Sequence, residues 1–309
     1  MKSARKPASS FQLTYWQWKV DLPLEQRLPL SAFIQRETGL SSRDADELIR
    51  FGSVHVNSRR VLNPKATVTC GDEVRLYWPW HGTKRFYEIS PDRILYEDQW
   101  FIFYNKEPGI PCQQTPSDSY NNVYEALKRF LSKRENNPVY LAIHHRLDQD
   151  TSGIILFVKD KAVNKAISFL FKERKITKEY LVCVEGEPPS KEWVVDQDII
   201  RQHHRYGWTH KGRGKSATTF FKVLQNIGNR YLLLAIPRTG RTHQIRLHVQ
   251  ASGLKIPGDR IYGGPPNPVL LLHSWRLTFR HPVTEKEIRL RADILPDGWP
   301  HCLNMSEFA

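Results

Sequence analysis

Cysteine is scarce in this chain and scattered. Cys70, Cys112, Cys183 and Cys302 form no C-x-x-C pair, which excludes a zinc ribbon and a dithiol redox site and leaves reduced thiols as the expectation. Long apolar runs are lacking too. The longest, Tyr231–Ile236 and Val269–Leu272, fall far short of the roughly 20 residues that span a bilayer. No signal-peptide core is present: the basic MKSARKPASS leads into FQLTYWQWKV, where polar residues interrupt the aromatics. Acid is the other shortage. Against 46 Lys and Arg stand 32 Asp and Glu, a formal charge of +14 over 309 residues. An excess of this size points to a polyanionic partner, and without a membrane segment that partner is expected to be nucleic acid.

What is present supports a folded protein of more than one domain. The hydrophobic fraction is 40%, including 14 Phe, 12 Tyr and 9 Trp, enough for a packed core. Residues 81–309 carry 34 basic and 24 acidic residues, so most of the charge excess lies in the longer C-terminal part. WPWHGTK at 78–84 reads as a break between a small module and a larger one. Within the small module LSSRDADELIRFG predicts a short helix. Ser41 or Ser42 is its cap, Ala45, Leu48 and Ile49 its apolar face, and Gly52 its end, with Arg43 and Arg50 turned outward. Val54–Val56 and Val74–Tyr77 read as strands, with a turn at Asn57-Ser58. In the larger part, strands are expected at 94–96, 101–104, 153–158, 180–184, 218–223 and 231–236, and helices at 123–130 and 162–171. That rhythm is not the βαβ repeat of a doubly wound fold. It predicts an α+β domain on a mixed, largely antiparallel sheet.

Three segments concentrate polar chemistry. HHRLDQDTSG (144–153) crowds His, Arg, Asp, Thr and Ser against a buried strand, where unpaired polar groups are costly. RTGRTHQIRLHVQASG (238–253) places three Arg and two His in its first eleven residues and fits either a helix or a strand. RQHHRYGWTHKGRGKS (201–216) has five basic residues, three His, two aromatics and no acid, and reads as a loop suited to RNA phosphates and unstacked bases. GRGKS is not a P-loop, because Thr209 stands where the motif's first Gly belongs. No H-E-x-x-H or compact His/Asp spacing suggests a metal.

Two resemblances emerge from these residues. LPLSAFIQRETGLSSRDADELIRFGSVHVNSRRVLNPKATVTCGDEVRLYWP resembles the RNA-binding domain first known from ribosomal protein S-four, departing from its S-R-x-x-A-x-x-L-I helix pattern only in two extra acids within Ser42–Ile49. ILYEDQWFIFYNKEPGIPC (94–112), HRLDQDTSG (145–153), KERKITKEYLVCVEG (172–186), GKSATTFFKVL (214–224), GRTHQIRLH (240–248), GDRIYGG (258–264) and LLLHSWRLTFRHP (270–282) together resemble, in order, the RluA-type pseudouridine synthases. The resemblance implies a tail at 1–26, an RNA-binding domain at 27–80, a linker at 81–92, a pseudouridine synthase domain at 93–300 and a tail at 301–309. It implies isomerisation of uridines in structured RNA, ribosomal RNA favoured and transfer RNA as the alternative, with no cofactor and no metal. The rival reading is a non-catalytic RNA-binding or ribosome-assembly factor.

By the same resemblance Asp148 acts at the sugar, Arg246 is its ion-pair partner, Tyr180 stacks on the base and Arg146 fills the space that the flipped base vacates. Lys106, Thr151 and Ser152 are expected to support the site or touch substrate, and Arg43 and Arg50 to contact RNA from the small domain. A monomer working in the cytoplasm is expected.

Overall fold

The structure, a computed structural model, describes residues 15–202, 205–300 and Leu303. Two units emerge: Met1–Glu88 with Gln113–Leu127, and Ile89–Cys112 with Lys128–Ala309. The expected tails at 1–14 and 301–309 (Leu303 apart) lie outside the described residues, as do His203 and His204.

The first unit runs β1 (Tyr15–Lys19), β2 (Leu28–Pro29), α1 (Leu30–Thr38), α2 (Ser42–Arg50), β3 (Val54–Val56), β4 (Arg59–Arg60), β5 (Thr67–Val68) and β6 (Glu73–Tyr77). Its antiparallel sheet has the order β1-β6-β3-β4, with β2 paired to β5 beside it. Ser41 caps α2 by accepting the Asp44 N–H at 3.1 Å, and Ala45, Leu48 and Ile49 face a core with Phe33, Ile34, Val74 and Leu76. The aromatic segment Tyr15–Lys19, which the sequence leaves in an N-terminal tail, is instead an edge strand. Its period of two turns Trp16 and Trp18 onto the core and leaves Tyr15, Gln17 and Lys19 more open.

The second unit contains β7 (Ile94–Glu97) and β8 (Phe101–Lys106); α3 (Val123–Arg134) crosses the division between the units along the chain. There follow β9 (Ala142–Ile143), β10 (Ser152–Val158), α4 (Asn164–Lys172), β11 (Thr177–Glu185), β12 (Glu192–Asp196), β13 (Asp198–Gln202) and β14 (Arg205–Thr209). The last elements are β15 (Thr218–Ile227), β16 (Arg230–Pro237), α5 (Gln244–Ala251), β17 (Leu272–Arg280) and β18 (Glu287–Arg291). Ten strands form one sheet in the order β12-β15-β16-β11-β17-β10-β8-β7, with β18 on β17 and β9 on β10. Every pairing is antiparallel except β10 with β17, as the α+β reading requires. Alternate residues of the central strands, among them Phe101, Phe103, Ile154, Leu156, Leu277 and Phe279, pack with Val163 and Ile167 into one core layer. All seven residues of β10 are buried, which explains why its apolar run shows no alternation.

Two local expectations change. Residues 201–202 and 205–209 of the basic 201–216 stretch lie in the antiparallel pair of β13 and β14 rather than in a loop. The ambiguous 238–253 segment resolves into a helix, α5. Among the described residues no helix is long and apolar enough to cross a membrane.

The short parallel contact of β10 with β17, Ser152 to His273 and Gly153 to Ser274, lies at the end of β10 that leaves the HRLD segment. Gly153 has φ +106°, and a Cβ there would meet the Ser274 carbonyl oxygen at 2.2 Å. Backbone cannot yield as a side chain can. Gly153→Ala is expected to destabilise the protein by about 3 kcal/mol or more in urea unfolding. An unchanged midpoint would show that the two strands are not in this contact.

Candidate active site

Asp148 lies in the turn before β10, where the Thr151 N–H donates to the Asp148 carbonyl at 3.1 Å. Residues on both sides of it are held by the segment after β8. The Cys112 thiol donates to the Leu147 carbonyl and its sulfur accepts the Leu147 N–H, both at 3.2 Å. Gln149 exchanges two hydrogen bonds with Gly109, each 3.0 Å. Lys106 is fully buried, and its ammonium donates to the carbonyls of Glu107 (2.8 Å), Ile110 (2.9 Å) and Gln149 (2.8 Å). Burial pushes that ammonium down to about 8. It ties two loops together beneath Asp148 and does not line the pocket above.

The cation facing Asp148 comes from α5. Arg246 is 3% exposed, and its Nε and Nη2 donate to both oxygens of Asp259 at 2.8 and 2.7 Å. The remaining nitrogen, Nη1, stands 3.5 Å from Asp148 Oδ2. Asp259 Oδ1 also accepts the N–H groups of Ile261 and Tyr262, each at 3.0 Å. Burial works to raise the Asp259 carboxyl, but the Arg246 hydrogen bonds and charge outweigh it and hold the group below its ordinary range. The turn depends on Gly258, φ +82°, where a Cβ would lie 2.1 Å from the Val269 carbonyl oxygen.

α5 is fixed at its start by Gln244. Its amide donates to the Thr218 carbonyl and the Thr219 hydroxyl, and its carbonyl accepts from Thr239 Oγ1 and the Arg241 N–H. His243 precedes the helix in the left-handed region, φ 56°. Its Nδ1 is 2.8 Å from the Tyr262 hydroxyl and its Nε2 is 4.0 Å from Asp148 Oδ2. Burial pushes Tyr262 up and His243 down, and the imidazole Nε2 faces Asp148. The Arg246 guanidinium lies over the Tyr262 ring at 5.1 Å.

Asp148 and His243 open on a pocket lined also by Arg146, Thr151, Lys178 and Tyr180. Tyr180, on β11, is 8% exposed, and burial raises its hydroxyl well above the ordinary range. Arg146 is exposed at the rim, and the Thr151 hydroxyl is buried without a hydrogen-bond partner. The structure thus brings Asp148, Tyr180, Arg146 and Thr151 to one pocket, with Arg246 outside its lining and behind Asp148. Ser152 is instead bonded to His273 Nδ1 at 2.8 Å. Arg43 and Arg50 sit on α2 in the other unit; Arg43 is exposed, and Arg50 pairs with Glu47 at 3.0 Å and Asp46 at 3.6 Å. Sequence reasoning passed over Asp259, His243, Tyr262, Gln244 and Lys178. An acid between Gly258 and Gly264 was the available signal for the first, and Lys178 is two residues from Tyr180 along one strand.

The RNA pseudouridylate synthase family profile matches residues 100–251. A ribosomal large subunit pseudouridine synthase C from Shigella flexneri is 31% identical over 280 residues, covering 83% of this chain and 85% of that one. Its Vibrio vulnificus counterpart is 30% identical over 265 residues, covering 79% and 82%. The solved human RNA Pseudouridylate Synthase Domain Containing 4 shares the fold with a TM-score of 0.55 and 24% identity over 67% of this chain and 89% of that one.

Two buried imidazoles give this region a pH signature. His145 Nε2 accepts the Leu156 N–H at 2.9 Å, and burial, with the charges of Lys178 and His144, pushes it down to about 3. His273 is pushed down to about 4, mainly by burial. Both ordinarily titrate at 6.5, so below that pH the unfolded chain binds protons that the folded chain refuses. Their contribution to stability is complete above the ordinary value and is lost on acidification. Urea unfolding is expected to lose about 1.4 kcal/mol per pH unit per histidine between about pH 6 and about pH 4. His145→Gln should flatten that slope; an unaltered slope contradicts a neutral His145.

Proposed function

This chain belongs to the RluA-type family of RNA pseudouridine synthases, and we propose that its substrate is ribosomal RNA and that Asp148 is the group that acts on the target uridine. The enzyme is an isomerase. The N1–C1′ bond breaks, the base turns, C5 bonds to C1′, and the proton lost from C5 is balanced by one gained at N1. Nothing is oxidised, reduced or hydrolysed, so the reading calls for no cofactor.

The observation that carries the assignment is the carboxylate of Asp148 opening on the pocket with Arg246 Nη1 behind it at 3.5 Å. A carboxylate there can bond to C1′ or stabilise a cationic sugar. Tyr180 offers its ring to the base, and the exposed Arg146 stands where a side chain can occupy the gap left in the RNA. The relatives named as ribosomal large subunit enzymes favour ribosomal over transfer RNA. Two sets of arginines fit the attraction of a long polyanion. One is the exposed Arg43 on α2 with Arg50, whose own pairs with Asp46 and Glu47 are weak enough for phosphate to displace, although the helix carries three acids against its two arginines. The other is the β13–β14 hairpin with Arg201 and Arg205, whose Tyr206 ring lies 6.0 Å from His243. A monomer acting in the cytoplasm completes the reading.

Tritium release from RNA labelled at C5 of uridine tests it. The wild-type protein is expected to release tritium from large-subunit ribosomal RNA, and Asp148→Asn to do so at least about 10³-fold more slowly with unchanged RNA affinity. Equal release by both removes Asp148 from the chemistry. Release from transfer RNA alone moves the substrate, and release from neither RNA supports the non-catalytic alternative.

A further inference from the structure

Lys178 lines the pocket beside Tyr180. It lies on β11 two residues before Tyr180, so both side chains take the same face of the strand. Its Nζ reaches the loop before α5, 3.8 Å from where a Cβ on Gly240 would stand. Among the described residues no carboxylate, carbonyl or hydroxyl bonds to this ammonium. The adjacent Glu179 has its oxygen 3.9 Å from Arg276 Nη1. The nearby imidazole of His145 is neutral. Burial lowers the Lys178 ammonium, and no neighbouring anion offsets the effect. Lys178 is half-buried and lines the pocket without a protein partner among the described residues, so its ammonium is placed to meet a ligand group.

The reaction determines which group that is. When N1–C1′ breaks, the bonding electron pair stays with the base, which becomes a uracilate anion with its charge shared between N1, O2 and O4. The sugar becomes cationic or is taken up by a carboxylate. Asp148 answers the sugar; nothing assigned so far answers the base. Arg146 and Arg241 are exposed at the rim, where a backbone phosphate would approach, whereas Lys178 is half-buried in the wall.

We propose that Lys178 is a catalytic residue: its ammonium donates to a carbonyl oxygen of the target uracil and stabilises the uracilate anion between breakage of N1–C1′ and formation of C5–C1′. Charge is conserved through the step, because the pair held by the base returns as the C5–C1′ bond and Lys178 keeps its proton. The proposal rests on the pseudouridine synthase reading of this pocket. An unpaired cation aimed at developing charge acts in the transition state more than in binding.

The test compares large-subunit ribosomal RNA transcripts made with uridine or with 5-fluorouridine, using wild-type protein, Lys178→Met and Lys178→Arg. Fluorine withdraws electrons and makes the base a better leaving anion, so it relieves the need for the ammonium. Lys178→Met is expected to lower the single-turnover rate of N1–C1′ cleavage about 10²-fold on uridine and less than about 10-fold on 5-fluorouridine, whose C5 has no proton to lose afterwards, with RNA affinity unchanged. Lys178→Arg, which keeps the charge at a shifted position, should show a smaller loss with the same attenuation, so the test stands if the methionine variant does not fold. Equal losses on the two RNAs overturn the proposal. So does a weaker, less salt-dependent RNA affinity with the rate retained, the mark of a phosphate contact. Wild-type protein that converts neither RNA overturns the pseudouridine reading itself, whatever the variants do.

Discussion

The site is organised by one buried guanidinium. Taking Arg246 out of water is costly unless its donors are met, and Asp259 meets two of them in a bidentate pair while two backbone N–H groups help to hold that carboxylate. The third nitrogen is left for Asp148 at the longer distance of 3.5 Å. The division of labour matters chemically. A bidentate grip on Asp148 itself would have occupied both of its oxygens. Held by Asp259 instead, Arg246 presents positive charge to Asp148 while leaving that carboxylate open to a ligand. His243, its ring held by Tyr262, stands with Nε2 4.0 Å from the same carboxylate oxygen.

A second constraint acts from below. Residues 147–149 form no regular structure of their own, and their geometry is borrowed from the loop after β8 through Lys106, Gly109 and Cys112. Lys106 satisfies three carbonyls of irregular backbone with one ammonium, an arrangement a neutral side chain of that length cannot reproduce. The large antiparallel sheet supplies rigidity; Tyr180 and Lys178 project from its strand β11, and Asp148 and Arg246 sit on the loop and helix attached to it.

Much of this was legible in the sequence where the determinants are local. The capped helix at Ser42–Arg50, the buried run of β10 and the grouping of His, Arg and Asp before it follow from spacing alone. The segment around Arg246 did not resolve, because residues Gln244 to Val249 are all buried. A helix covered on every side shows no amphipathic stripe, and Ile245, Leu247 and Val249 then imitate a strand. What decides for the helix is the Gln244 side chain bonding to β15, a contact invisible to periodicity. Asp259 escaped notice because its partner is thirteen residues away and an acid among glycines reads as a turn. The hairpin of β13 and β14 was hidden by its basic and glycine-containing composition, and β1 by aromatic alternation with no partner strand in view.

The central claim is that Asp259 fixes Arg246 so that its free nitrogen serves Asp148. Steady-state pseudouridine formation by Asp259→Asn on ribosomal RNA tests it most directly. Asparagine keeps the shape but gives up one acceptor and the charge, so kcat is expected to fall about 10²-fold or more while KM for RNA stays near its original value. An Asp259→Asn enzyme that remains folded and turns over at the wild-type rate would contradict the account.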